Sequence, residues 1–266
     1  YPATLREYLE LGLHGFALSR FSGTWVAFKC VNETVESTAT VDLDGWPEIS
    51  VPEGGPSGPA VHVRHAFDPL GDDVRLQDLK LPLVQRYVRH NRLDRIVHDG
   101  GARCLGIVAA GKAWLDVEEA LQMLGLSAAR LRQLGVAAYK PALIWPLEPE
   151  GLVEFARGRR ELLFVEEKAP FMEQQAARIL FGLPDAERPR LSGKQAPEGG
   201  PLFSGHAPLD PLTVALIVGA RLEALGLADE DLIAALRKLR TLQQQGAAIE
   251  KPAMVRTPWF CSGCPH

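Results

Sequence analysis

The sequence predicts an α/β protein built on a parallel sheet, and three observations carry that expectation. Short apolar runs at 104–110, 136–139 and 162–165 have the length and the β-branched or aromatic content of buried strands. Helical patterns at 116–124, 151–157 and 171–181 follow them in alternation, with Val117, Ala120, Leu121 and Leu124 in register on the first. Strands joined by helical crossovers of this length imply parallel neighbours with right-handed connections, which places a small doubly wound domain at 99–182. Two stretches rich in Pro and Gly bracket it: 45–73 carries five prolines and 183–213 carries six.

Ahead of the first stretch, Leu5, Tyr8, Leu9, Leu13, Phe16 and Ala17 fall on one helical face. The run 25–31 then reads as a buried strand, and Asn32 as the N-cap of a helix carrying Val35 and Val41. One helix, one strand and the start of another helix cannot close a core, so residues 1–44 are expected to pack on a partner. Residues 45–98 read as linker and helix, and 183–210 as a second linker. Pro-Glu-Gly-Gly-Pro occurs at 52–56 and again at 197–201, but the flanks share nothing, so it marks linker composition and no repeat. Residues 212–225 are strongly helical. Asp229, Glu230 and Asp231 open a further helix whose end near Arg240 carries Arg237 and Lys238, as the helix dipole favours. From Lys251 the chain runs through Pro252 and Pro258 as an extended lead-in to its last residues.

Composition narrows the function classes. The 266 residues are 46% hydrophobic and 23% charged, which excludes general disorder and a collagen-like fibre. With 29 Lys+Arg against 33 Asp+Glu, both signs scattered, no basic face stands out for nucleic acid or anionic lipid. The apolar stretch 212–220 is closed by Arg221, well short of the roughly 20 residues a bilayer crossing needs. Four cysteines at 30, 104, 261 and 264 are too few for a disulfide framework, and no signal peptide opens the chain, so a reducing, cytoplasmic setting is expected. The chain starts without Met and stops at His266 where a loop is beginning, which predicts a piece of something longer.

The sharpest chemical feature is Cys261-Ser262-Gly263-Cys264, followed by Pro265 and His266. Two thiolates at this spacing can converge on one metal or cluster iron; a redox dithiol and inert packing are the other readings. Pro265 directly after the second cysteine argues against haem attachment. Gly106, Gly111 and Lys112 hold a phosphate-loop spacing, but Ala113 stands where a Ser or Thr should bind Mg²⁺, so a structural strand-to-helix turn is the better reading. Asp99-Gly100-Gly101 reads as a tight turn. Glu166 and Glu167 end the third strand pointing to opposite faces and cannot share a proton without a bend, which favours a structural role. His14 reads as a helix-packing residue.

Taken in order, these pieces resemble the large bacterial indolepyruvate ferredoxin oxidoreductases of the thiamine diphosphate-dependent 2-oxoacid:ferredoxin oxidoreductase family. The stretches carrying the resemblance are 15–23 with 25–31, 109–117, 165–168 and 259–266, spanning the chain, the last being the most specific. The resemblance implies an α/β fold with a transketolase-C-terminal-like domain at 99–182, flanked by Pro/Gly-rich linkers and parts of two thiamine-binding-type domains. Residues 1–44 would be the C-terminal edge of the pyrimidine-binding domain, and 211–266 would be helices leading into the diphosphate-binding domain. It implies that Cys261 and Cys264 ligate a [4Fe-4S] cluster and that His266 lies near the thiamine diphosphate and its Mg²⁺. The implied activity is oxidative decarboxylation of an aryl 2-oxoacid to an aryl-acetyl-CoA by a homodimer, with coenzyme A as acceptor and ferredoxin taking the electrons. The family's pyrimidine-side glutamate, its Gly-Asp-Gly and its other cluster cysteines are absent from 1–266, so no catalytic residue is expected within the segment. The rival expectation is a noncatalytic α/β interaction or scaffold module whose terminal Cys-x-x-Cys is structural or binds zinc.

Overall fold

The computed structural model describes residues 1–46, 48–55, 61–64 and 67–247. Five strands form one sheet in the order β1-β3-β2-β4-β5, with β1 Arg95–His98, β2 Leu105–Ala109, β3 Val136–Lys140, β4 Glu161–Val165 and β5 Arg190–Ser192. The pairs β2/β3, β2/β4 and β4/β5 are parallel, and only β1 runs antiparallel, on the outer edge of β3. The predicted α/β class and its three central strands are therefore present, each within a residue or so of its expected bounds.

The alternation of side chains along the central strands explains the layers. Leu105, Ile107, Val136, Ala138, Leu163 and Val165 face one side. There they meet α5 (Lys112–Met123), α6 (Ala128–Leu134), α9 (Pro211–Ala224) and α10 (Glu230–Ala247). Val108, Ala137, Tyr139, Leu162 and Phe164 face the other side, toward α7 (Pro149–Ala156) and α8 (Phe171–Leu180). A period of two on strands that are buried on both faces gives a three-layer sandwich. Helix starts are set by local chemistry: Ser127 caps α6, Glu148 caps α7, Asp210 caps α9, and the Asp229 carboxylate accepts from the Leu232 amide at the start of α10.

A smaller third cluster joins α1 (Leu5–Ser22) to α4 (Leu81–His90) through Leu18, Val84, Tyr87 and Val88. Helix α3 (Pro69–Arg75) and a π-helical turn over Leu76–Lys80 lead into α4.

The N-terminal expectations need correction. Residues 25–31 form no strand: Trp25 is 100% exposed, and the segment crosses between α1 and the rest of the chain, with Phe28 edge-on to Tyr8 at 5.6 Å. The sheet edges on offer belong to β1 and β5, so this apolar run finds no strand to pair with among the described residues. Cys30 is accordingly exposed, and Cys104 is half-buried just ahead of β2, so neither sits in a buried strand. The next helix, α2, covers only Asn32–Val35; Val31 occupies its N-cap position without a side-chain cap, and Val41 lies outside it. The 183–210 stretch is more than an extended connection, since it contributes β5 and buries Phe203 and Leu209 in the main core.

Candidate functional site

The residues predicted to hold metal and cofactor, Cys261, Cys264 and His266, lie outside the described residues. Among the described residues no group of three His, Cys, Asp or Glu side chains is placed to hold a metal ion.

The Gly111-Lys112 turn is where a parallel sheet commonly receives phosphate. Gly111 has φ +57°, and a Cβ there would fall 2.2 Å from the Tyr1 ring, so the turn is backed by a side chain and not by open space. Lys112 is spent within the fold: its Nζ lies 2.9 Å from Asp116 Oδ2 and donates to the Leu209 carbonyl at 2.5 Å. Burial pushes the Asp116 carboxyl up from its ordinary value while Lys112 pulls it down. This is a structural strand-to-helix turn, and the chemistry of its donors does not fit a diphosphate. Asp99-Gly100-Gly101 is a turn closed by the Gly101 amide on the Asp99 carboxylate.

Glu166 is buried and accepts from the amides of Met172 at 2.6 Å and Glu173 at 3.0 Å, which anchors the start of α8. Burial raises its carboxyl above the usual range against those two donors. Its role is to hold a helix, as strand geometry suggested. A further buried carboxylate carried no motif. Glu161 at the start of β4 is 0% exposed and receives Nε and Nη2 of Arg221 from α9 at 2.7 and 2.8 Å, with the Ser192 hydroxyl donating to it at 2.7 Å.

A cavity of about 600 Å³ opens between α1, the 24–29 segment, α4 and the 142–146 turn. Its wall is mainly apolar. Helix α1 presents Leu11, His14 and Leu18, because these positions fall three and four residues apart. His14 is buried, its Nδ1 3.0 Å from the Tyr87 hydroxyl and its ring edge-on to that of Tyr87. Burial lowers the His14 imidazole below its ordinary value, with Glu10 opposing and Arg95 reinforcing the shift, and burial pushes the Tyr87 phenol up to about 12. Lys80 donates to the Gly23 carbonyl at 2.9 Å, and burial lowers its ammonium. Lys29 lies 4.5 Å above the Tyr1 ring. His14 is the helix-packing residue the sequence suggested, and it lines the cavity as well. Neither lysine carried a sequence signal, since isolated lysines near apolar runs are common on solvated faces.

Comparison with known proteins sets this architecture in a family. The family model described as "Indolepyruvate oxidoreductase domain" matches residues 94–246, more than half of the chain. The chain belongs to the indolepyruvate oxidoreductase domain family. The matched region contains all five strands and helices α5 to α9, so the indolepyruvate oxidoreductase domain comprises the sheet and the layers on both of its faces. The indolepyruvate oxidoreductase subunit IorA of Methanothermobacter thermautotrophicus is 27% identical over 276 residues, covering 100% of this chain and 38% of that protein. The corresponding subunit of Methanothermobacter marburgensis is 28% identical over 189 residues, 70% of this chain and 25% of that protein. The chain thus spans well under half the length of these relatives. Among solved structures, a split-gene transketolase in an inactive β4 tetramer aligns at 22% identity with a TM-score of 0.31, over 56% of this chain and 42% of that one. A 2-oxoglutarate:ferredoxin oxidoreductase from Magnetococcus marinus aligns at 16% identity with a TM-score of 0.38, over 59% and 24%. Likenesses of that size carry no argument about function.

Proposed function

We propose that this chain is a portion of a 2-oxoacid:ferredoxin oxidoreductase of the indolepyruvate type. In that reaction an aryl 2-oxoacid loses CO₂, its acyl carbon joins the thiol of coenzyme A, and electrons pass singly through iron–sulfur clusters to ferredoxin. The family match over 94–246 carries the reading, and the whole-chain similarity to an IorA subunit supports it. Thiamine diphosphate with Mg²⁺ would stabilise the carbanion left when CO₂ departs. The Gly111-Lys112 turn is no cradle for that group, since Lys112 is engaged by Asp116 and Leu209, and no step of the reaction is assigned to it. Cys261 and Cys264 are the proposed cluster ligands, with His266 near the thiamine.

In the parent, 1–44 would be the edge of a pyrimidine-binding domain, 45–98 linker and helix, 99–182 the transketolase-C-terminal-like domain, 183–210 a connection that also supplies an edge strand to its sheet, and 211–266 helices that pack on that sheet and lead into a diphosphate-binding domain. Supporting the first assignment, α1 leaves Leu9, Leu13 and Phe16 exposed on one face beside the unpaired 24–31 segment, as expected of an element that another sheet covers. A cytoplasmic homodimer is the expected assembly; no helix among the described residues is long and apolar enough to cross a membrane.

The test is anaerobic assay of the full-length protein that contains this chain. Reduction of ferredoxin should require an aryl 2-oxoacid, coenzyme A and thiamine diphosphate together. Cys261→Ser and Cys264→Ser should each lower iron content and electron transfer. Unchanged iron and unchanged ferredoxin reduction in both variants would overturn the cluster assignment, and failure of every 2-oxoacid to support reduction would overturn the reaction.

A further inference from the structure

We infer that Arg159, with Arg103 beside it, forms a binding site for a phosphate group at the end of the sheet where β2 and β4 begin. The inference goes beyond the reaction proposed above and stands without it. Arg159 lies in the turn between α7 and β4 and is 7% exposed. Its guanidinium carbon lies 4.4 Å from the centre of the Phe155 ring, and its Nε donates to the Phe155 carbonyl at 2.7 Å. The stem passes β2 at Gly106, where a Cβ would fall 3.0 Å from Arg159 Cδ and 2.8 Å from Phe155 Cε1. Gly106, which shares a phosphate-loop spacing with Gly111 and Lys112 in the sequence, thus makes room for a buried arginine. Nη1 of that arginine is buried without a hydrogen-bond partner among the described residues, and no carboxylate among them pairs with it. Buried charges are normally paired and buried polar atoms normally bonded, so an anion is the missing partner.

The charge around Arg159 is not balanced from within the fold. Burial lowers the guanidinium to about 10, with Arg103 reinforcing and Asp99 opposing the shift, so it stays a cation at neutral pH. Arg103 is exposed and spends its Nη1 on two carbonyls at the end of α7, those of Glu154 at 3.1 Å and Arg157 at 2.6 Å. The negative end of a helix is worth about half a charge, which two guanidinium groups exceed. The nearby carboxylates are engaged elsewhere or face water. Asp99, itself 68% exposed, stands 3.5 Å from Arg132, Glu187 stands 3.0 Å from Arg157, and Glu154 is exposed on α7. A dianion takes up such an excess, and the oxygens of a phosphate match the fork of a guanidinium. Arg157 and Gly158 before the buried arginine, and Arg160 after it, are exposed, so the turn that carries the site faces solvent.

The whole chain is titrated by calorimetry with inorganic phosphate and with glycerol 2-phosphate, using formate and chloride at matched ionic strength as monovalent controls. Saturable binding of one phosphate group per chain is expected, at least tenfold tighter than either control. Tighter binding of inorganic phosphate identifies a free anion; tighter binding of glycerol 2-phosphate identifies a phosphomonoester. Arg159→Met keeps an unbranched stem over Gly106 and should weaken phosphate at least tenfold. Arg103→Gln, at an exposed position, should weaken it at least threefold and serves should the first variant not fold. Thermal unfolding separates a ligand site from a helix cap: the gap in midpoint between wild type and Arg159→Met should widen as phosphate is added. A gap that phosphate leaves unchanged, no saturation with either phosphate, or binding as tight in both variants as in wild type would overturn the inference.

Discussion

Arg221→Met isolates the interaction that fastens α9 to the sheet. Arg221 is 3% exposed and Glu161 is 0% exposed, so the substitution leaves a carboxylate inside the core without its charge partner. Losing one partner of a buried pair costs about 3–5 kcal/mol, because the remaining ion keeps its desolvation penalty and loses the Coulomb term that offset it. Two groups soften the loss. The Ser192 hydroxyl still donates to Glu161, and Arg190 Nη2 stands 3.6 Å from its Oε2 and can close further. Glu198, the second carboxylate on Arg221, is exposed and returns to water. The expected cost is therefore the low end of that range, about 3 kcal/mol. Urea unfolding of the chain, followed by circular dichroism, reads it as a lower midpoint at unchanged slope. The double variant Glu161→Leu with Arg221→Met removes both charges and should recover most of the loss, since apolar replacement of a whole buried pair is often neutral or better. A cost below about 1 kcal/mol for Arg221→Met, the size of an exposed pair, would refute the reasoning by showing that Glu161 reaches water.

Other substitutions probe separate parts of the structure. A Cβ on Gly219 would fall 2.2 Å from Cδ2 of the buried Leu236, where α9 and α10 approach closely. Gly219→Ala should thus lower stability by about 1 kcal/mol despite the helix propensity it gains, and Leu236→Val in the same chain should restore part of it. Burial pushes the Asp94 carboxyl up to about 6, against the amides of Ala142 and Leu143 and the Tyr139 hydroxyl, which favour the ionised form. A carboxyl raised on folding binds its proton more tightly in the native state, so its contribution is full below about pH 4 and is lost as pH rises through 6. Wild type should lose about 2 kcal/mol more than Asp94→Asn over that interval, the residue's partial contact with solvent trimming the full linkage value; equal slopes in the two proteins would contradict the assignment. Glu166→Ala removes the acceptor for two amides at the start of α8 and should cost about 1–2 kcal/mol, with faster hydrogen exchange at Met172 and Glu173.

The central sheet was legible because its strands are buried on both faces and read as continuous apolar runs, a pattern that needs no partner to recognise. The edges were not. In β1, Arg95, Ile96 and Val97 are exposed, and its pairing with β3 is a tertiary event without a local signature. Strand β5 has three residues inside a stretch whose prolines and glycines announce a loop. Helix α6 carried both of its boundary signals, Ser127 before it and Gly135 after it in the left-handed conformation, yet it buries little beyond Leu131 and so shows hardly any periodicity. The opposite error at 25–31 has the same root. An apolar run specifies burial and not pairing, and no sheet edge among the described residues takes it.

The candidate sites divide along a similar line. Motif spacing singled out Cys261 and Cys264, the proposed cluster ligands, which lie outside the described residues, because ligand chemistry would constrain neighbours in sequence. It could not expose Glu161 with Arg221, 60 residues apart, or the lysines at 29 and 80, which come to line one cavity only in the folded chain. Arg221 did leave one trace, a charge at the end of the apolar run 212–220 on a helix that is otherwise mostly apolar. Read as the end of the run, it explained nothing further. Read as a charge the fold must bury, it needed an acidic partner, and only the fold shows that this is Glu161, directly before the predicted strand at 162.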